Sequence, residues 1–525
     1  MIRLLLLAAA LGAVCLATCT AAAAARTEAS ALRSDSTPLE PRPSAANCTE
    51  LFFEQPLDQS DYNEQPIWLQ RYFVCNQFLR QDEPAPTILF YVGNEGKVTN
   101  AVNNLGLLWE LAAEWNALLV WAEHRYYGDS QPVNGTLDTA PDYRFLSVEQ
   151  ALVDYVKLIQ HLRDEYGGPR SPVVAFGASY GAMLAAWLRY KYPITVQAAL
   201  ASSAPLRSTL VDGQGWDPST FWQVVTRAAS PAGGCPPGCE RTVRAAFAAL
   251  FNLSSTPEGQ AAAAGQLRLC DDTLLAQGGA PLVALSLMMA FDTAAMGSVP
   301  YEFYYFTGDP DYPLPPWPMR AMCDAMGAVT EQSNPKELLG ALAEAVAIVN
   351  NVTGVYSCYT DEDVFSIAMQ TSSPYSGSAF TYQVCAQFVP SESFFPPNGA
   401  TDMFWDARGF NASWVRSFCR QQFGQEGPVP DFRTLPLLFG ATAADFQAGA
   451  SNILFSNGLL DPWSSGGFLT NLSDSMPSLI IAEAGHHVDL YWADPADLSS
   501  YGAVRAQERQ ILAQWVDTWR RSGGG

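Results

Sequence analysis

"VVAFGASYGAM", residues 173–183, runs from four apolar residues into Gly177, Ala178, Ser179, Tyr180 and Gly181. The run reads as a buried strand that bends sharply around one serine. In the spacing G-x-S-x-G, small flanking residues let a strand turn tightly into a helix and push the serine Oγ out of the backbone, a nucleophile elbow. The same residues also read as an ordinary glycine turn that happens to hold a serine. A base, an acid and an oxyanion site in matching chain order would decide for the elbow.

The flanking sequence supplies a sheet for the elbow to belong to. "LFFEQPLDQS" and "IWLQRYFVCNQF" alternate apolar and polar residues as an antiparallel ribbon. Short apolar runs follow, "TILFYVG", "ALLVWAEH", "VVAFGAS" and "VQAALASSAP", separated by helical segments, the pattern of a buried parallel sheet built from βαβ units. Ser147 and Gln150 form a capping box ahead of Val148, Ala151, Leu152, Tyr155, Leu158, Ile159 and Leu162, which share one helical face. Past Pro205 the strand pattern stops, and an Ala-rich, partly helical stretch broken by Pro-rich and aromatic loops takes over. Strands return in "SNILFSNG" and "PSLIIAEAG", and an amphipathic helix with Ile511, Leu512, Trp515, Val516 and Trp519 closes the chain.

A serine hydroxyl is a poor nucleophile near neutral pH unless an imidazole takes its proton. Four histidines are present: His124, His161, His486 and His487. In α/β hydrolases the order is Ser, then Asp or Glu, then His, which removes His124 and His161. Asp461 follows the strand in "ILFSNGLLDPW", and His486 comes 25 residues later, after the next strand. That is about one strand-helix-strand step and brings both side chains to the sheet edge of Ser179. Asp461 would hold one imidazole nitrogen and fix its tautomer; its competing reading is a turn or helix-capping aspartate before Pro462. The oxyanion hole would use the N–H of Tyr180 and that of Gly93 or Asn94 in "FYVGNEG". Trp463, beside the acid, is a candidate wall for the substrate.

The 282 residues between Ser179 and Asp461 exceed the roughly 60 to 90 that two further strand-helix units need. The expected fold is therefore an α/β-hydrolase core, mostly parallel, over 48–205 and 448–521, with a large, mainly helical cap domain inserted over 206–447. Such a cap would narrow access to the site and favour a small substrate or a chain end. Residues 1–25, with Arg3 ahead of an apolar run and small residues at the end, read as a cleavable secretory signal, and 26–47 as a disordered leader. The apolar run is shorter than the roughly 20 residues a bilayer requires, so no stable membrane insertion is expected.

Sequons at Asn47, Asn134, Asn252, Asn351, Asn411 and Asn471 fit passage through the secretory pathway, to a lysosome-like or vacuole-like compartment or the extracellular space. Of eleven cysteines, Cys15 and Cys19 leave with the signal. The remaining nine favour disulfides with at least one free thiol, and Cys48 to Cys75 would staple the first ribbon. Cys235 and Cys239 lack the second pair or histidine that zinc needs. A net charge of -23 excludes nucleic-acid partners, which require clustered Lys and Arg.

Taken together, "FYVGNEG", "AEHRYYGDSQP", "SVEQALVDY", "AFGASYGAMLAAWLRYKYP", "ALASSAP", "FSNGLLDPWSSGG" and "GHHVDL" closely resemble the family of serine exopeptidases that contains lysosomal Pro-X carboxypeptidase and dipeptidyl peptidase II. "PLPPWPMRAMC" and "TYQVCAQ" extend the likeness into the insertion. The resemblance implies a helical cap, cleavage beside proline or small residues near a chain end, and a triad of Ser179, Asp461 and His486, with His487 supporting at the substrate side. It also implies disulfides Cys270 to Cys358, Cys385 to Cys419, and Cys323 to one of Cys235 and Cys239, with Cys239 taken as the partner. Departures are Ala178 and Ala182 where relatives carry glycine, Tyr491 in place of an arginine, and Gln387 after Ala386 in place of an acid.

The expected activity is a serine-type exopeptidase, of dipeptidyl-peptidase or Pro-X carboxypeptidase type, acting through an acyl-enzyme without a cofactor. An esterase or lipase on the same fold is the alternative enzyme, and a hydrolase-like binding protein the non-catalytic one. Peptide substrates are the expected partners, with a homodimer left open.

Overall fold

Alternating apolar and polar residues fold Thr49–Pro56 (β1) and Ile67–Cys75 (β2) into an antiparallel ribbon whose register runs from Thr49↔Val74 to Pro56↔Ile67. In the computed structural model, which describes residues 42–80, 85–133, 143–210, 216–368, 377–388, 397–407, 412–425, 427–429 and 431–523, this ribbon forms one edge of an eight-stranded sheet. The other strands are Ile88–Val92 (β3), Leu118–Ala122 (β4), Val173–Ala178 (β5), Ala198–Ser202 (β6), Ile453–Gly458 (β7) and Ser478–Ile481 (β8). Their order is β1-β2-β4-β3-β5-β6-β7-β8, and every pair from β4 onward is parallel.

Strand periodicity divides the core. Ile88, Phe90 and Val92 point to one face, beneath helices Val148–Tyr166 and Tyr180–Lys191. Leu89 and Tyr91 point to the other, beneath Gly106–Trp115 and the C-terminal helix Ser499–Arg521. With each fully buried aliphatic or aromatic side chain contributing about 1.5–3 kcal/mol, these two layers hold the sheet rigid under the loops at its rim. Ser147 caps its helix through Gln150 N–H at 3.3 Å, yet the capping box is only half made. The Gln150 amide turns outward instead, donating to Asp58 and accepting from Gln59 N–H, and so ties the helix to the β1–β2 turn.

Between β6 and β7 the chain is helical, with its own core of Phe221, Trp222, Phe247, Met288, Phe291, Met322, Leu339 and neighbours. Asn334 caps Pro335–Asn350, with proline at the first position where its missing N–H is harmless. This insertion does not separate as a body of its own, because from Ala45 on the chain is one compact unit. Its last helices, Thr434–Phe439 and Ala443–Gly449, pack Phe439 on Trp187 and Phe446 on Tyr190 of the helix after β5, so the sheet's packing begins before residue 448.

Disulfides join Cys48–Cys75, Cys239–Cys323, Cys270–Cys358 and Cys385–Cys419. Among the described residues Cys235 is the free, buried thiol, its pKa pushed up to about 12 by burial. The expected signal, most of the leader, Asn134 and Asn411 lie outside the described residues. The leader stops short of residue 47, because Ala45–Asn47 form a 3-10 turn whose Ala45 N–H donates to Asn103 Oδ1. Asn47, Asn252 and Asn471 are exposed, while the half-buried Asn351 spends its amide on Tyr356. Among the described residues no helix is long and apolar enough to cross a membrane.

Candidate active site

Ser179 stands between β5 and its helix at φ 56, ψ -124, a strained backbone for a residue with a side chain. Two glycines permit it. A Cβ on Gly177 would lie 2.0 Å from the Gly181 carbonyl oxygen, and one on Gly181 would lie 2.7 Å from that of Val92. Ala178 and Ala182, where the resemblance expects glycine, are both buried without disturbing this frame. The Ser179 N–H donates to the Ser202 carbonyl at 3.1 Å, fixing the elbow to β6. Tyr180 N–H, first in the helix, has no backbone acceptor among the described residues and stays available at the elbow.

Asp461 and His486 meet at the same end of the sheet. His486 Nδ1 lies 2.8 Å from Asp461 Oδ2, with the aspartate fully buried and the histidine 3% exposed. Asp461 Oδ1 accepts Trp463 N–H at 3.0 Å, capping the 3-10 turn Pro462–Gly466. The two sequence readings of Asp461 thus coexist, each using one oxygen. Since Asp461 accepts at Nδ1, that nitrogen carries the proton and Nε2 presents a lone pair. Among the described residues Nε2 has no hydrogen-bond partner, and no Ser179–His486 hydrogen bond is made in this substrate-free state; such contacts often tighten only around substrate.

Glu95, Ser179, Tyr180, Met183, Pro205, Ser208, Phe380, Phe388 and Trp463 line a cavity at the elbow. Met183 follows Tyr180 by one helical turn, Trp463 stands edge-on to Phe221 at 5.1 Å, and Phe380 and Phe388 reach in from the insertion. Among the described residues Glu95 is the one acidic or basic side chain on this wall. Its Oε2 is sealed without a hydrogen-bond partner among the described residues, and desolvation raises its pKa against the opposing pull of a backbone hydrogen bond and of His486. Of the expected oxyanion loop, Gly93 packs against the Ala122 carbonyl and gives its own carbonyl to Tyr155 Oη, while Asn94 leads directly into Glu95.

Neither His487, expected beside the substrate, nor His486 is among the residues that line this cavity. His487 adopts φ 39, donates its N–H to Ser203 Oγ at 2.9 Å, and buries its ring beside Tyr305 and Tyr491 with neither nitrogen partnered among the described residues. Desolvation, and then His486, push its pKa well down, so it is neutral. Tyr491, where arginine was expected, fills an apolar slot 4.4 Å from Phe303. Gln387 accepts Val148 N–H and donates to Glu149, joining the insertion to a core helix.

Sequence reasoning passed over Glu95, although it lies inside a quoted motif, and over a polar chain beneath the elbow. His124 Nε2 lies 3.0 Å from Tyr180 Oη, which accepts from Gln383 Nε2; Gln383 Oε1 in turn accepts from Tyr127 Oη. Burial pushes the His124 pKa down to about 3, so it stays neutral, and His161 stacks on Phe53.

A strained serine elbow at the rim of a mostly parallel sheet, with a buried Asp–His pair following it in chain order, defines a serine hydrolase of the α/β-hydrolase class. Residues 55–508 match the family model described as Serine carboxypeptidase S28, and the chain belongs to that family of serine peptidases. It is 32% identical over 495 residues to "Lysosomal Pro-X carboxypeptidase" of Pongo abelii and of Homo sapiens, covering 91% of this chain and 90% of each relative. It is 30% identical to "Thymus-specific serine protease" of Mus musculus, covering 90% of this chain and 88% of that one.

Proposed function

We propose that the protein is an exopeptidase that cleaves peptides beside proline or a small residue near a chain end, with Ser179 as nucleophile, His486 as proton carrier and Asp461 orienting the imidazole. The buried 2.8 Å contact between His486 Nδ1 and Asp461 Oδ2 carries this reading, because it leaves Nε2 as the base. Ser179 Oγ attacks the scissile carbonyl while Nε2 takes its proton, and the imidazolium then protonates the departing amine. Tyr180 N–H, with an N–H of the Gly93–Asn94 loop, stabilises the oxyanion. Water repeats the cycle on the acyl-enzyme. The apolar wall of Met183, Phe380, Phe388 and Trp463 suits a proline ring, which offers hydrocarbon faces and no N–H once in peptide linkage. Disulfides and exposed sequons agree with a secretory or lysosomal setting.

The named relatives favour release of a residue after a penultimate C-terminal proline. A wall whose one acidic or basic side chain among the described residues is Glu95, without Lys or Arg, favours the second reading, capture of a free amino terminus. Proline peptides blocked at either end, assayed beside acyl esters, decide. Turnover that survives only with a free carboxyl end supports the first reading, and only with a free amino end the second; hydrolysis confined to esters overturns the peptidase assignment to this site.

A further inference from the structure

Behind the loop that presents His486, the buried carboxyls of Asp489 and Glu508 stand close enough for each to act on the other's titration. Both are sealed from solvent, and an ionised carboxylate only accepts, so a hydrogen bond between them requires a proton on one of the two. Apart from each other and Ser202, these carboxyls have little to satisfy them. Asp489 Oδ2 and both Glu508 oxygens lack an ordinary donor among the described residues, and the Ser456 hydroxyl stands beside Glu508.

The pair sits where the two halves of the site are tied together. Ser202 Oγ donates to Asp489 Oδ1 at 2.6 Å, and the carbonyl of the same Ser202 accepts the Ser179 N–H. Ser203 Oγ accepts the N–H of His487, while Ser203 N–H donates to the Ser456 carbonyl. Glu508 belongs to the C-terminal helix, whose Arg505 also grips the carbonyls of Val488 and Asp489 at 3.1 and 2.9 Å. Strands β6 and β7, the histidine loop and the last helix therefore converge on this pair of buried carboxyls.

We propose that Asp489 and Glu508 are positioning residues that share a proton and thereby hold the His486 loop in register with the Ser179 elbow, so that losing that proton uncouples base from nucleophile. This rests on the triad reading above. Two carboxylates in contact in a low-dielectric interior repel strongly. Arg505 draws both carboxyl pKa values down, but burial outweighs it. Arg505 is the nearest cation, but its N–H groups go to the two carbonyls and to Asp497 at 2.5 Å. Arg509 is occupied by Glu110 and Glu114 of helix Gly106–Trp115, which packs on the loop. Strands β6 and β7 bring only serines, Asn457 and apolar residues, and the loop itself brings the neutral His487 and Tyr491. Tyr301 and Tyr501 stand beyond Arg505. Burial accordingly raises both carboxyl pKa values, so the interaction is intact in acid and fails as pH rises through those raised values.

The test follows kcat/KM on a proline peptide, and fluorophosphonate labelling of Ser179, from about pH 4 to about pH 9 in the wild type, Glu508→Gln and Asp489→Asn. An amide gives the pair a permanent N–H donor. Each variant's profile, normalised to its own maximum, should keep about half its activity where the wild type has fallen to about a tenth, a shift of about one pH unit. Alkaline limbs that coincide in all three proteins overturn the proposal. Should neither variant fold, wild-type infrared spectra decide: a protonated-carboxyl band must fade in step with activity, and its absence, or its persistence through the alkaline limb, overturns the proposal equally. Ser179→Ala separates the two levels, because labelling that survives it sinks the triad reading, whereas silent Ser179→Ala with unshifted Glu508→Gln sinks only the dyad.

Discussion

Asp461→Asn removes a charge and almost no volume, so its consequence follows from hydrogen-bond chemistry alone. Trp463 N–H can only donate, and it lies 3.0 Å from Asp461 Oδ1. An asparagine keeps that bond only by leaving its carbonyl oxygen there, which turns its amide nitrogen toward His486 Nδ1. The imidazole must then accept at Nδ1 and carry its proton on Nε2, the nitrogen that should receive the Ser179 proton. A reversed tautomer of this kind lowers kcat about 10⁴-fold, about 5.5 kcal/mol of transition-state stabilisation. Folding should lose only about 1 kcal/mol, the net worth of one altered hydrogen bond. Asp461→Ala serves as the contrast, losing the cap on Pro462–Gly466 as well, at about a further 1 kcal/mol. The assay is kcat/KM on a proline peptide beside the labelling rate of Ser179, with thermal unfolding to check the fold. A folded Asp461→Asn protein that keeps more than about a tenth of wild-type turnover would refute the triad geometry.

Two further outcomes follow from the packing. His124 is buried and neutral with its pKa near about 3, below its unfolded value, so the unfolded chain gains a proton first and stability falls as pH drops from about 6.5 toward 3, by up to roughly 1.4 kcal/mol per unit. His124→Gln should therefore flatten the acid side of the Tm profile, and a slope equal to wild type would remove His124 as its cause. Closing 88 residues, Cys270–Cys358 should contribute about 4.6 kcal/mol through the unfolded chain, against about 3.8 for the 34 residues of Cys385–Cys419. Denaturant midpoints of the two serine double mutants should rank in that order, and the reverse rank would refute loop closure as the main source of the stabilisation.

The parts of this molecule that a sequence reveals are those whose constraints are local. Gly177 and Gly181 are fixed by carbonyl oxygens of Gly181 and Val92, within the elbow and its neighbouring strand, and the pattern G-x-S-x-G records that crowding directly. The contact of Asp461 with His486 is legible through chain order and the period of one strand-helix-strand step. The half-made capping box at Ser147 marks where local logic ends, since Gln150 prefers partners 91 and 92 residues away. The dyad lies further still from such logic. Arg505 and Glu508 share the buried stripe of the last helix with Tyr501, Val504, Leu512 and Val516, but periodicity scores only apolar residues, so two charged side chains look like gaps facing water. Their meaning depends on Ser202, 287 residues before Asp489, a contact that no spacing encodes. The cavity behaves likewise: Phe380 and Phe388 become walls only when the insertion folds back over the elbow, where Gln383 reaches the Tyr180 hydroxyl. A sequence therefore announces the elbow at Ser179 more readily than the cavity beside it, because an elbow is made by its neighbours in the chain and a cavity wall by residues that folding brings from elsewhere.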